Sequence, residues 1–245
     1  MANGTQRTEH INSFYLDQNN TLSIVGVGMM LQEIASIDCG NLKCDYHTLY
    51  DNFNMIWVLT KMKIVFHQHP RWNEKVVVKT WPYKPQLIKF ERDFKIESKK
   101  LGDIAEGYSE WCLLDATTHA IKRARALNTY PTDNFKTKTK QINYFNYNFK
   151  LEELEEIYTR KIRYSDVDMN FHTNNIIYYK IALDSFDCEF LKEHIISETE
   201  IHYLKESHAN EELVIYRKQL DDKSYYILGV NKENQNRIFD FVVKF

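Results

Sequence analysis

VGVGMMLQEIASIDCG, residues Val25–Gly40, is the stretch whose reading decides the fold. Val27, Met30, Leu31, Ile34 and Ile37, with Cys39 beyond them, recur at i, i+3 and i+4. That spacing lines one face of an α-helix, and Gly40 stands where a C′ glycine ends such a helix. A polar start precedes it. On its C-terminal side the period changes to two. In NMIWVLTKMKIVFHQH (Asn54–His69), Met62, Ile64 and Phe66 alternate with Lys61, Lys63 and Val65. Lys75–Tyr83, Leu87–Glu97 and Asp103–Asp115 continue as strands rich in β-branched and aromatic residues, with Pro70, Pro82 and Pro85 at the turns.

The order then repeats. Ala116–Tyr158 is polar, contains Pro131, and ends in the acidic run LEELEEIY (Leu151–Tyr158), which reads as a short helix with a solvated face. A strand over Thr159–Val167 leads to a polar loop. A helix over Asn174–Leu191 carries Ile176, Ile177, Tyr179, Ile181, Leu183 and Phe186. Strands follow at Glu198–Glu206, Glu212–Leu220, Lys223–Asn231 and Arg237–Phe245. Regular β-α-β-α alternation is missing, so a doubly wound parallel sheet is disfavoured. The expectation is an α+β chain in which an antiparallel sheet wraps a long helix, twice. The expected units are residues 1–130 and 159–245, joined by a linker over 131–158.

Composition narrows the chemistry. The 245 residues hold 32 Lys+Arg against 34 Asp+Glu, a net charge of −2, which argues against a nucleic-acid surface. The 7 glycines build neither GxGxxG nor GxxxxGK[ST], so dinucleotide and P-loop readings are excluded. MANGTQRTEHINSFYLD lacks the apolar run of a secretory signal, and no window approaches about 18 consecutive apolar residues. No membrane span and a cytoplasmic location are therefore expected. Cys39, Cys44, Cys112 and Cys188 form no CxxC pair, so neither zinc nor a disulfide framework is expected. His67, His69 and His202 read as surface or satisfied histidines. Trp57, Trp72, Trp81 and Trp111 read as core, and Met29 and Met30 on the first helix are a pair that adapts to irregular apolar shapes.

The densest polar cluster is RYSDVDMNFHTNN (Arg163–Asn175), at the end of a strand and the start of the second helix. N-capping by Asn174 or Thr173 explains one or two of its residues. Asp166, Asp168, Asn170 and His172 remain. A calcium loop needs more carboxylates and a glycine turn. A helix N-terminus offers free N–H groups that polarise a carbonyl, and a carboxylate beside it can activate water.

DVDMNFHTNNIIYY resembles the catalytic loop of the fatty acyl-ACP thioesterases of plants and bacteria, close to D-x-D-x-N-x-H-x-N-N followed by a helix. LQEIA (Leu31–Ala35) resembles the family's first-helix signature. NMIWVLTKMKIVFHQHPRWNEKVVVKTWP (Asn54–Pro82) and IHYLKES (Ile201–Ser207) resemble two further stretches in the family's order. The resemblance implies a tandem (double) hotdog fold, with the acyl pocket in the first hotdog and the catalytic loop in the second. It implies hydrolysis of the thioester joining a fatty acyl chain to acyl carrier protein, with no cofactor or metal. Asp168, Asn170 and His172 match the loop residues, and Glu206 matches the glutamate of the facing strand. Ser207 stands where plant members have a cysteine, which disfavours a cysteine nucleophile; its hydroxyl donates a hydrogen bond or only packs. Asp168, helped by Glu206, is expected to activate water while His172 and Asn170 position it; attack by Asp168 itself is the alternative route. An acidic carrier needs a basic patch, with Lys122, Arg123, Arg125, Arg160, Lys161 and Arg163 as candidates. A monomer and a homodimer both suit such a chain. The competing readings are an acyl-CoA thioesterase, a non-catalytic hotdog that binds acyl thioesters and, more weakly, a hotdog dehydratase.

Overall fold

The computed structural model describes residues 4–128, 130, 135–139 and 141–245. Pro131, residues 132–134 and residue 140, all in the expected linker, lie outside them. The chain divides into two units, Met1–Asn143 and Tyr144–Phe245.

The first unit holds strands β1 (Thr5–His10), β2 (Met55–Phe66), β3 (Lys75–Pro82), β4 (Phe90–Ser98), β5 (Gly102–Asp115) and β6 (Ile121–Lys122). Its helices are α1 (Ile24–Asn41) and α2 (Tyr46–Phe53). The strands pair antiparallel in the order β1-β3-β4-β5-β2, with β6 on β5. β1 is the polar start. Its side chains are mostly exposed, so it carries no apolar alternation, and its backbone alone joins β3. The short helix α2 was not among the expected elements; Asp45 starts it by accepting the Thr48 N–H at 3.2 Å.

α1 buries Val27, Met30, Leu31 and Ile34 against the sheet. The helix approaches closely at Gly107 of β5, where an added Cβ would stand 2.5 Å from Leu31 Cδ1. Gly40 is not the terminator. It lies inside α1, and Lys43 takes the left-handed turn at φ 55°. Lys43 N–H reaches Gly40 O at 3.1 Å and Cys44 N–H reaches Cys39 O at 2.9 Å. That pair is a Schellman ending, which closes on whichever residue the next segment pulls into the left-handed region.

The second unit holds β7 (Glu155–Lys161), α3 (Asn175–Leu183), α4 (Cys188–Glu193), β8 (Glu198–Tyr203), β9 (Glu212–Asp221), β10 (Ser224–Asn231) and β11 (Arg237–Lys244). The antiparallel order is β8-β11-β10-β9-β7. Three expectations need correction. The acidic run Leu151–Tyr158 is no helix; Leu151–Glu153 makes one 3-10 turn, and β7 begins at Glu155 by pairing with β9. A polar edge strand and a solvated helix share that composition, and the pairing decides. The strand expected to reach Val167 stops at Lys161, and Tyr164–Asp166 is a 3-10 turn. The helix expected over Asn174–Leu191 is two. Ser185 Oγ donates to Ala182 O at 2.7 Å, and Arg217 donates to the Ser185 carbonyl, which ends the helical bonding. Phe186 then packs on Tyr225 and Phe245. Among the described residues no helix is long and apolar enough to cross a membrane.

One buried ion pair fixes α1 to the sheet. Arg92 of β4 is 5% exposed and Asp38 of α1 is 2% exposed. Arg92 Nη1 lies 2.6 Å from Asp38 Oδ2 and 3.1 Å from Thr80 Oγ1, while Asp38 Oδ1 accepts from Thr5 at 2.7 Å. Removing one partner leaves the other charge buried and unpaired. Asp38→Ala is therefore expected to lower the unfolding free energy by about 3–5 kcal/mol in urea denaturation. The double variant Asp38→Leu/Arg92→Met should recover most of that loss, and an unchanged midpoint for the single variant would contradict the assignment.

Candidate active site

The cluster Arg163–Asn175 folds as a closed frame between β7 and α3. Ile162, just past β7, donates its N–H to Glu211 O at 2.8 Å and accepts from Asn210 N–H at 2.9 Å. The 3-10 turn Tyr164–Asp166 follows, held by a buried carboxylate. Asp166 Oδ2 accepts the Arg163 N–H at 2.9 Å, and Oδ1 accepts from Arg160 at 2.8 Å. A tight hairpin comes next. Asp168 N–H donates to His172 O at 2.9 Å, Phe171 N–H donates to Asp168 O at 3.0 Å, and Phe171 takes φ 63° at the tip. Asn174 caps α3, its Oδ1 accepting from Ile176 N–H at 3.0 Å, and its own N–H reaches Asp166 O at 2.9 Å.

This frame places the predicted residues as follows. Asp168 Oδ1 accepts the Asn170 N–H at 2.8 Å; among the described residues Oδ2 carries no hydrogen bond. His172 Nε2 stands 3.4 Å from Glu206 Oε2, both side chains half-buried, and the His172 ring lies 4.9 Å from that of His208. Glu206 is not on a strand, because β8 ends at Tyr203; it sits in the connection that follows. The helix end is more occupied than the sequence suggested. The N–H groups of Asn174 and Ile176 are both engaged, which leaves Asn175 N–H without an acceptor among the described residues. It is a donor at the positive end of the helix.

Ser207 is placed differently from the other four. It is fully buried, and its hydroxyl lies 2.7 Å from Thr173 Oγ1 and 2.9 Å from the Tyr178 hydroxyl. Burial raises the Tyr178 phenol above its usual pKa, with hydrogen bonds to Ser207 and Thr173 pulling the other way. Sequence reasoning missed Thr173 and Tyr178. The available signal was a tyrosine one turn beyond a cap, on the buried face, whose hydroxyl needs a partner.

The first unit repeats the frame nearly bond for bond. Asp17 N–H donates to Thr21 O at 2.9 Å, Asn20 N–H to Asp17 O at 3.1 Å, and Ser23 N–H to Tyr15 O at 2.8 Å. Asn19 N–H donates to Asp17 Oδ1 at 2.9 Å, and Asn20 takes φ 58° at the tip. The chemistry is different. Thr21 replaces His172, His69 replaces Glu206, and Asp17 Oδ1 is held by Thr21 N–H and Oγ1, both at 3.2 Å.

The remaining candidates divide. His202 is buried on Glu200 at 2.9 Å, and His69 stacks on Phe66. Trp57 packs in the core with its Nε1–H on Cys44 O at 2.8 Å, whereas Trp72 is 62% exposed. Met30 is buried and Met29 is 40% exposed. Arg160 is engaged by Asp166 and Asp184, and Lys122 by Asp115. Arg123, Arg125 and Arg163 are exposed.

Known proteins share this chain's organisation. The family model described as acyl-ACP thioesterase N-terminal domain matches residues 3–126, and that of the acyl-ACP thioesterase C-terminal domain matches residues 150–242. The chain is 24% identical over 218 residues to oleoyl-acyl carrier protein thioesterase 2, chloroplastic, of Arabidopsis thaliana, covering 80% of this chain and 58% of that protein. It thus spans little more than half the length of that relative. The acyl-ACP thioesterase from Bacteroides thetaiotaomicron VPI-5482 superposes with a TM-score of 0.86 at 22% identity, covering 98% of this chain and 97% of that one. The 12:0-ACP thioesterase from Umbellularia californica gives 0.87 at 18% identity, covering 98% and 96%. At these identities the structural likeness is one of fold, and the fold is the expected α+β tandem hotdog.

Asp166 closes the frame from inside, so its loss leaves a backbone N–H and an arginine short of an acceptor. Asp166→Ala is expected to destabilise the protein by about 2–3 kcal/mol. Thermal or urea unfolding tests this, and a shift near zero would show that the 3-10 turn closes without the carboxylate.

Proposed function

This chain belongs to the acyl-ACP thioesterase family, and from that premise we propose that it hydrolyses the thioester between a fatty acyl group and acyl carrier protein. The observation that carries the proposal is the asymmetry between the two loops. The frame occurs twice, but among the described residues the His172–Glu206 pair and an aspartate oxygen without a donor come together in the second frame, whereas both oxygens of Asp17 accept from Thr21 in the first.

In this reading water attacks the acyl carbon. Asp168 Oδ2 accepts a proton from that water, and Asn170 and His172 hold the water and the thioester in line. Glu206 acts on His172, orienting its ring rather than assisting Asp168 directly. Asn175 N–H donates to the oxygen that gains negative charge, at the end of α3 where the helix dipole adds to the effect. The tetrahedral intermediate then expels the thiolate. That thiolate takes up the proton held by Asp168, giving free acid and free thiol. The first unit receives the acyl chain. Exposed Arg123, Arg125 and Arg163 suit an acidic carrier.

Incubation with acyl-ACPs and acyl-CoAs of several chain lengths tests the reading. Released acid and thiol are expected, with carrier-protein esters preferred. No hydrolysis of any thioester would refute the enzyme, and equal or better turnover of CoA esters would refute the carrier. Asp168→Asn should lower kcat by about a hundredfold or more while the protein stays folded. Near-normal turnover in that variant would remove Asp168 from the mechanism.

A further inference from the structure

We infer that three buried hydroxyls, on Thr173, Ser207 and Tyr178, are positioning residues that set the His172–Glu206 pair. The inference rests on the hydrolase reading for its kinetic consequence but not for its structural one. Thr173 follows His172 in the chain, and Ser207 follows Glu206. Tying 173 to 207 therefore fixes the distance between the two side chains that precede them.

The proton order in the trio follows from its geometry. Thr173 Oγ1 donates to the Ser207 carbonyl at 3.0 Å, since a carbonyl can only accept. The Thr173 oxygen then accepts from Ser207 Oγ at 2.7 Å, and Ser207 Oγ in turn accepts from the Tyr178 hydroxyl at 2.9 Å. Every proton has a place, and a fully satisfied buried chain of this kind defines one arrangement. The Thr173 N–H adds a bond to the same Ser207 carbonyl at 2.8 Å. Ser207 is thereby held at both its main chain and its side chain, with its hydroxyl turned into the interior.

The first unit supplies an internal comparison. Its frame has the same main-chain bond, from Leu22 N–H to Pro70 O at 2.8 Å. Leu22 stands for Thr173, Pro70 for Ser207, and Val27, four residues past the cap Ser23, for Tyr178, four past Asn174. All three are buried and apolar. Apolar residues thus satisfy the fold at this spot. Burying hydroxyls there brings no gain in packing and requires every hydrogen bond to be made. The hydroxyls occur in the unit whose frame carries a His–Glu pair to hold, and not in the unit whose frame has Thr21 and His69 at those positions.

The test uses Thr173→Val, which keeps shape and removes the hydroxyl, and Tyr178→Phe, with Thr173→Ser as the conservative control. Both hydroxyl-deleted variants should remain folded and lose about tenfold to a hundredfold in kcat on an acyl-ACP, with KM little changed. Thr173→Ser should stay within about threefold of wild type. In a Glu206→Gln background, Thr173→Val should cause almost no further loss, because it acts through the pair that is already broken. Wild-type kcat in both deletions, or an equal further loss in the Glu206→Gln background, would overturn the inference. Amide exchange of the segment Asp168–Thr173 gives a readout independent of activity. It should quicken by about tenfold in Thr173→Val. If the wild-type protein hydrolyses no thioester, the hydrolase reading falls alone, and unchanged exchange in Thr173→Val then overturns the positioning role.

Discussion

The structure depends on how the chain enters each helix. At the start of α3, Thr173 N–H reaches Ser207 O and Asn174 N–H reaches Asp166 O, so two flanking segments meet at one turn of backbone. Neither bond involves a variable side chain. With the entry fixed, the hairpin before it has one conformation, closed by Asp168 and His172 across the turn. The side chains of the candidate site are then attached to a main chain with little freedom of its own. This is the condition for a reacting geometry held to a fraction of an ångström.

Because the constraint is made by the backbone, it tolerates different side chains. The first unit shows this, with the same hairpin, the same cap position and the same left-handed tip residue built from another set of residues. What differs is which groups the frame presents. In the first unit both oxygens of Asp17 accept from Thr21, while in the second Asp168 Oδ2 carries no hydrogen bond among the described residues and His172 has a carboxylate partner. The same backbone frame occurs twice, and the two copies differ in the side chains they carry at a handful of positions.

The two helices also differ in how they are held. α1 is long and is anchored by the charged pair Arg92–Asp38 within an otherwise apolar face. α3 is short, and the chain turns back into α4 where Ser185 and Arg217 end the helical bonding. A buried ion pair contributes little net stability over an apolar one, but removing either partner leaves an uncompensated buried charge.

Periodicity in the sequence determined most of the fold: the face of α1, the long strands of both units and their repeated order. These are read directly because burial of one side of an element imposes a period of 3.6 or 2 on its composition. The cluster Asp168, Asn170, His172 was equally legible, since six polar residues before a helix exceed what capping needs. β1, the edge strand β7 and the end of α1 were not legible, because backbone pairing and the left-handed turn at Lys43 leave no mark on hydrophobic pattern. Tertiary structure alone decided the rest of the site. It brought Glu206 to His172, turned Ser207 inward to Thr173 and Tyr178, and left Asn175 N–H without an acceptor among the described residues. Each of these joins residues distant in the chain or depends on which hydrogen bonds are already made, and no local pattern of residue types encodes that.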